Sequence, residues 1–518
     1  MLLRATRVES EQASTLDLFD RVVILYLVLP VLLFLFGWLE LWAALPLAMC
    51  VLYGLRSLVA PPPADGAKFP VSRMQLAVAC VVGCAWTLLG GTDHFVFANY
   101  DWHIRDAVLH DLVTSPWPVS YAAPHGQESL LRAPLGYYLP AALVGKLFGL
   151  GTAHLMMALW TAAGATLFLL QVLSLTTARL RVILAVAVII VLFSGFDIVG
   201  TLLSNPARNL GNLHIAQHLE WWAGRYQYSS MTTQLFWVPN HALAAWLTIG
   251  LLGRDSRRSL DAILPLIVIA AALWSPLSAL GLVPFMLLKV LQGSSPDRLL
   301  RLVHPRVWAP ALPVGLVIAG YLGLDASHVP FKLNLNGDDA GDLTMDLMRQ
   351  LQFFLLEAGV IGFMVLALRW SWEVVLALVV LLVLPTISFG PSNDLTMRAS
   401  IPSLAVLAIA VSGALTSPVT GATDTRKKLV LACMFCIGAV TPVQEMARAI
   451  LLPAFPINMT ATLIGAACGQ YPAHYTARLK GQFVSRLLRA PHRIPLAPQG
   501  PEACFDPAYE MSMARGLL

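Results

Sequence analysis

Long apolar runs separated by short polar loops cover most of this chain. They fall at residues 22–37, 41–55, 74–92, 152–173, 182–202, 236–252, 260–274, 277–291, 308–323, 350–368, 374–388, 399–416 and 429–444. Read as helices at roughly 1.5 Å per residue, such runs suit a hydrocarbon core of about 30 Å. The expected architecture is therefore all-α, a polytopic transmembrane helical bundle of about 13 spans, because only helices and closed barrels satisfy their backbone inside a bilayer. Residues 1–21 would be a cytoplasmic tail, 22–449 the membrane module, and 450–518 a small extracytoplasmic C-terminal tail.

One stretch interrupts the pattern early. Residues 99–150 are polar and aromatic, beginning with a cluster of Asp101, His103, Asp106, His110 and Asp111 directly after an apolar run. Ile104, Val108 and Leu112 recur every four residues, while His103, Asp106 and His110 fall together elsewhere, which predicts an amphipathic helix over 102–113. A second helix is predicted over 134–150, with Leu135, Leu139, Leu143 and Leu147 as its stripe, a proline opening it and Gly149 closing it. It would reach only about 25 Å and carries Lys146. Both helices are expected to lie on the membrane inside a first large extracytoplasmic loop, 91–151.

Charge orients the bundle. If 134–150 is not a span, Arg179 with Arg181, Arg254 with Arg257 and Arg258, Arg369, and Arg426 with Lys427 and Lys428 all land on the cytoplasmic side. The longer polar segments then share the opposite face. The basic tail residues Arg478, Lys480, Arg486, Arg489 and Arg493 oppose this assignment, although charges far from a span carry little topological weight.

Composition narrows the class. The chain is 57% hydrophobic and 12% charged, with a mean hydropathy of +0.70, about half the charge of an ordinary soluble protein. A net charge of +5 spread over short loops makes no nucleic-acid surface. Five of the seven cysteines (Cys50, Cys80, Cys84, Cys433, Cys436) sit in apolar runs and read as small buried hydrophobes; Cys468 and Cys504, in the tail, could pair.

The polar stretch also carries short motifs. Asn99-Tyr100-Asp101 follows a span, and Ala133-Pro134-Leu135-Gly136-Tyr137-Tyr138-Leu139 runs on to Leu147-Phe148-Gly149. This arrangement resembles the GT-C superfamily of membrane glycosyltransferases, which includes protein O-mannosyltransferases and lipid A aminoarabinose transferases. Members often carry a second acid beside the first, where this chain has Trp102. The resemblance implies a GT-C-like fold and a polyprenyl-phosphate-sugar donor. It implies an acceptor that is a cell-envelope glycan, lipid or protein, and an inner (plasma) membrane location with the site facing the periplasm or exterior.

That chemistry needs a base for the attacking hydroxyl and a cation for the departing phosphate. Asp101 is the expected base, with a helix N-cap as its competing role; Asp106 and His103 are the next catalytic candidates, and Asp93 with His94 stand close by. Arg398, at an outward span entrance beside Asp394, is the expected phosphate ligand, followed by Arg225 and Arg208, with Arg132 lower. His241, Trp237, Tyr138 and Asp394 are expected to line the cavity. No metal or other cofactor is expected. His214 and His218 have a ligand-like spacing near Glu220 but lack a third partner, and Asp338, Asp339, Asp342 and Asp346 read as a solvated acidic loop. Asp197 and Glu357 lie in apolar runs, where ionisable groups face a partner or cavity. They leave a second class open: a transporter or flippase for a lipid-linked or small polar substrate.

Overall fold

A computed structural model describes residues 16–58, 71–122, 128–204, 214–254, 260–292, 304–334, 343–390, 393–419, 421–472, 474–479 and 483–494. The chain is mostly helical. Among the described residues five helices are long and apolar enough to cross a membrane: Leu18–Trp38, Leu150–Leu173, Asp346–Leu368, Asp394–Thr416 and Ala422–Leu451. Most other expected spans correspond to shorter apolar helices, among them Leu41–Gly54, Arg73–Leu89, Leu180–Val191, Leu264–Trp274 and Pro276–Leu291. The run at 182–202 is divided into Leu180–Val191 and Asp197–Ser204, and the last long helix passes from Ala422–Gly438 into Val440–Leu451 at Ala439.

The Leu18–Trp38 helix, about 30 Å long, separates the two ends of the bundle. At one end Arg254 forks between Asp17 (2.7 Å) and Asp20 (2.8 Å), and the Gln75 side chain donates to the Leu173 carbonyl at 2.6 Å. Interior polar groups are likewise satisfied: Trp86 donates to Thr232 (3.0 Å) and Trp246 to Gln234 (2.9 Å). Between helices, close approach matters more than hydrophobicity, since lipid is as apolar as leucine. At Gly83 a Cβ would stand 3.0 Å from the Thr166 backbone, so the Arg73–Leu89 and Leu150–Leu173 helices meet at a distance only a glycine permits.

The other end holds the departure from an all-α fold. Strands β1 (Val119–Ala122) and β2 (Glu128–Leu131) of the first loop pair antiparallel, while β5 (Thr476–Arg478) and β6 (His492–Ile494), from the C-terminal segment, add to their two outer edges in the order β5-β2-β1-β6. A second two-stranded sheet joins β3 (Phe331–Leu333) to β4 (Ile387–Phe389). The C-terminal segment also clasps the end of the first helix, where Arg489 donates through its backbone to Trp38 (2.9 Å) and through its side chain to Leu39 (2.8 Å).

The two helices of the first loop form at Asp101–Thr114 and Leu139–Phe148, but the first does not have the expected polar outer face, because Arg105, Asp106 and Asp111 are buried along with Val108 and Leu112. The second is shorter than the 134–150 expected, because residues 136–138 make turns and Gly149, at φ 94°, breaks the chain so that the next helix starts at Leu150. Ten residues reach about 15 Å, half a hydrocarbon core. Lys146 is tied to the Ser115 carbonyl at 2.5 Å and lies over Trp117, which pins this helix to the loop.

Candidate active site

Asp101 owes its position to Asn99. The Asn99 amide donates to the Phe236 carbonyl at 2.7 Å, its oxygen accepts the Asp101 backbone N–H at 3.1 Å, and the Trp102 indole donates to the same carbonyl at 3.0 Å. These bonds staple the start of the Asp101–Thr114 helix to the segment before His241. Tyr100 occupies the N-cap with no side-chain cap, and Asp101 lies in the first turn, so the competing N-cap role for Asp101 is not the one it plays.

Its carboxylate turns instead to Arg105, one turn along the helix, at 3.1 Å; Asp101 keeps 34% side-chain exposure while Arg105 keeps 3%. Arg105 also donates to Asn240 (2.9 Å), to the Trp237 carbonyl and, at 3.5 Å, to the Tyr138 hydroxyl. Burial works against the Arg105 charge, but Tyr138 and Asp101 outweigh it and hold the guanidinium above its ordinary value. The result is a carboxylate fixed from behind by a buried cation and open in front, at the end of the bundle that carries the sheet.

Arg398 comes from the far side of the chain. The helix Asp394–Ala399 starts at Asn393, which adopts a left-handed φ of 56°, and Asp394 pairs with Arg398 at 3.3 Å. The Ser278 hydroxyl donates to the Arg398 carbonyl at 3.1 Å, and the neighbouring Ser275 hydroxyl meets His241 Nδ1 at 2.7 Å. The charges of Arg398 and Arg105 both bear on His241, while Tyr475 lies in the fields of Arg105, Asp101 and Arg398. The His474 ring feels Asp394, Arg398, Arg132 and Asp101. Arg105 links Asp101 to Tyr138 and to Asn240, and from the next residue, His241, a chain through Ser275 and Ser278 reaches the Arg398 carbonyl, with Asp394 paired to the Arg398 side chain.

Other expected site residues lie elsewhere. Asp106 is 1% exposed and serves the scaffold: His94 meets it at 3.0 Å, His154 at 3.9 Å, and the Asn458 backbone donates to it at 3.2 Å. Burial alone would lower His94, yet its Asp106 partner holds it above the usual histidine value. His103 stacks on Phe455 at 4.3 Å. Trp237 gives its carbonyl to Arg105 and its indole N–H to Glu445 at 2.9 Å, and it lines a small cavity together with Asn99, Phe236 and Arg448. Arg225 pairs with Asp346 at 3.4 Å. Arg208, Asp338, Asp339 and Asp342 fall outside the described residues.

His218 belongs to a buried network, 2.8 Å from Glu445 and 3.5 Å from Glu220, with Arg448 on Glu445 at 2.7 Å. Among the described residues no group of three potential metal ligands converges. Asp197 accepts from Ser194 and Thr441, both at 2.9 Å, and Glu357 accepts from Trp222 at 2.7 Å. Cys468 is disulfide-bonded, whereas Cys504 lies outside the described residues.

Arg105, Asn240, His474 and Tyr475 were not anticipated. An acid and an arginine four apart on a helix are a readable pair, so Arg105 had a signal. The tail residues had none.

The chain is mostly helical, and among the described residues five helices are long and apolar enough to cross a membrane, the make-up of a helical membrane protein. No protein-family model, no curated protein and no solved structure matches the chain.

Proposed function

We propose that this chain is a membrane glycosyltransferase of GT-C type, which moves a sugar from a polyprenyl-phosphate donor to the hydroxyl of a glycan, lipid or protein acceptor. The observation that carries the reading is a fixed, partly open carboxylate, Asp101, connected through Arg105 and Asn240 and the His241–Ser275–Ser278 chain to the segment that bears the cation Arg398. In this reading about 13 segments cross the bilayer and the site faces the exterior or periplasm. The acceptor oxygen loses its proton to Asp101 as it bonds to the anomeric carbon. The bond from that carbon to the lipid phosphate breaks with its electron pair going to the phosphate, beside Arg398. Arg105 holds Asp101 in place.

The test is sugar transfer from purified polyprenyl-phosphate-sugar in nanodiscs. Asp101→Asn keeps an oxygen for Arg105 but removes basicity, so turnover falls by about 100-fold or more while donor binding persists. Near-normal transfer by folded Asp101→Asn protein removes Asp101 from this role. The buried acids Asp197 and Glu357 favour the alternative, transport of a lipid-linked or small polar substrate. Movement of the lipid-linked sugar across the bilayer without transfer would select it.

A further inference from the structure

Three helices are interrupted at one place in the bundle, and two acids meet there. The chain leaves its helix after Val191 and resumes at Asp197, the Asp346–Leu368 helix opens into a π-helical turn over Leu355–Gly359, and the last long helix changes at Ala439. Direct contacts join the three interruptions. The Phe196 N–H donates to the Leu356 carbonyl at 3.0 Å. A Cβ on Gly195 would strike Glu357 Oε2 and lie 2.6 Å from Glu357 Cα, while a Cβ on Gly438 would lie 2.6 Å from the Ser194 carbonyl oxygen. Single π-turns inside α-helices are concentrated at functional sites.

Asp197 and Glu357 are each 1% exposed. One oxygen of each is satisfied: Asp197 Oδ2 accepts the Ser194 and Thr441 hydroxyls, both at 2.9 Å, and Glu357 Oε1 accepts the Trp222 indole N–H at 2.7 Å. The other two, Asp197 Oδ1 and Glu357 Oε2, are buried and accept from no donor among the described residues. The two side chains face each other within hydrogen-bonding range. Two ionised carboxylates have no hydrogen to share, so the contact needs a proton. Among the described residues no cation pairs with either acid. The charged group that bears on both is a third acid, Glu220, itself held by the Ser230 backbone N–H at 2.8 Å and Gln227 at 2.9 Å; the Tyr228 phenol, which Glu357 also faces, donates to the Leu381 carbonyl. Two bare carboxylates in an apolar interior cost more than three hydrogen bonds return.

We propose that Asp197 and Glu357 share one exchangeable proton between Oδ1 and Oε2, forming a proton-binding site inside the bundle at the junction of the three interrupted helices. The proton is bonded to one carboxyl oxygen and donated to the other. The Ser194, Thr441 and Trp222 donors offset the single negative charge that remains. Release of the proton to water leaves two facing carboxylates, and their repulsion drives the turn before Asp197 away from the π-helical turn. None of these residues belongs to the candidate active site, so the proposal stands apart from the glycosyltransferase reading.

Infrared spectroscopy of the full chain in nanodiscs reads the proton directly, as the C=O stretch of a protonated carboxyl. At about pH 7 free Asp and Glu side chains, with ordinary values of about 3.9 and 4.3, are ionised and silent there. Wild type should show the band, and it should shift in heavy water and with carboxyl-isotope labelling of aspartate or glutamate, a result that needs no variant. Asp197→Asn and Glu357→Gln each put an amide N–H where the proton stood, so difference spectra of wild type against each should show the band lost. A wild-type spectrum without the band overturns the proposal, as does a band that persists in both variants. A wild-type melting temperature that rises with added sodium or potassium, in the absence of the band, would assign the site to a metal cation and overturn the proton.

Discussion

Removing the Asp111 carboxylate should unfasten the C-terminal segment from the first loop. Asp111 is 0% exposed; one of its oxygens accepts from the Tyr121 hydroxyl at 2.8 Å and from the Leu463 backbone at 2.8 Å, and the other meets His110 at 3.0 Å. It thus joins the first-loop helix, β1 and the short helix Leu463–Ala466 at one point. Burial, and then the Asp111 charge, push Tyr121 well above its ordinary value, so the phenol remains the donor across the working pH range. A hydrogen bond to a charged group contributes about 1.5–3 kcal/mol, and each buried donor left without an acceptor costs about 1–3 kcal/mol. These ranges describe overlapping losses, so Asp111→Ala should cost about 3–5 kcal/mol, as expected when one partner leaves a buried charged network. Tyr121→Phe removes one donor and should cost about 1–2 kcal/mol. The double variant should fall short of the sum, because the Tyr121 donor is no longer there to be orphaned. The assay is hydrogen exchange at the Leu463 amide in nanodiscs, alongside apparent melting temperature. Exchange should accelerate strongly in Asp111→Ala and little in Tyr121→Phe. Wild-type protection of that amide in a folded Asp111→Ala protein would refute the reasoning.

Two further outcomes follow from the same geometry. His218 is pushed up from 6.5 to about 9: burial opposes its charge, and Glu445 and Glu220 outweigh it. Its folded-state value is raised, so the stability it contributes, roughly 3 kcal/mol, is fully present below pH 6.5 and lost as pH rises through about 9. Melting temperature measured across that window should fall for wild type and be flatter for His218→Gln; equal slopes would exclude the network as the cause. Gly281 faces the Ala399 backbone with no room for a Cβ, which seats the Pro276–Leu291 helix against the helix carrying Arg398. Gly281→Val should displace that helix at a cost of about 1–3 kcal/mol and weaken donor binding without altering any charge. Unchanged binding would show that Arg398 is positioned by other contacts.

Much of the helical layout was legible because hydropathy is a local property. Apolar runs marked most of the helices, the four-residue spacing of Ile104, Val108 and Leu112 marked the first-loop helix, and the length and Lys146 of the next marked it as too short to cross. Asp101 stood out by its place after an apolar run, as Arg398 did by its place at the start of one. The sheet was not legible. Its outer strands, at 476–478 and 492–494, are three residues each and pair with a hairpin more than 340 residues earlier, a register that no local periodicity encodes. For the same reason Asp106 read as catalytic although it is buried against His94, and the backbone bond that ties Tyr475 to Arg132 went unnoticed. Sequence ranks a side chain by what it can do; only the fold decides which groups surround it, and burial and neighbouring charge then determine which carboxylate faces solvent and which one holds the scaffold together.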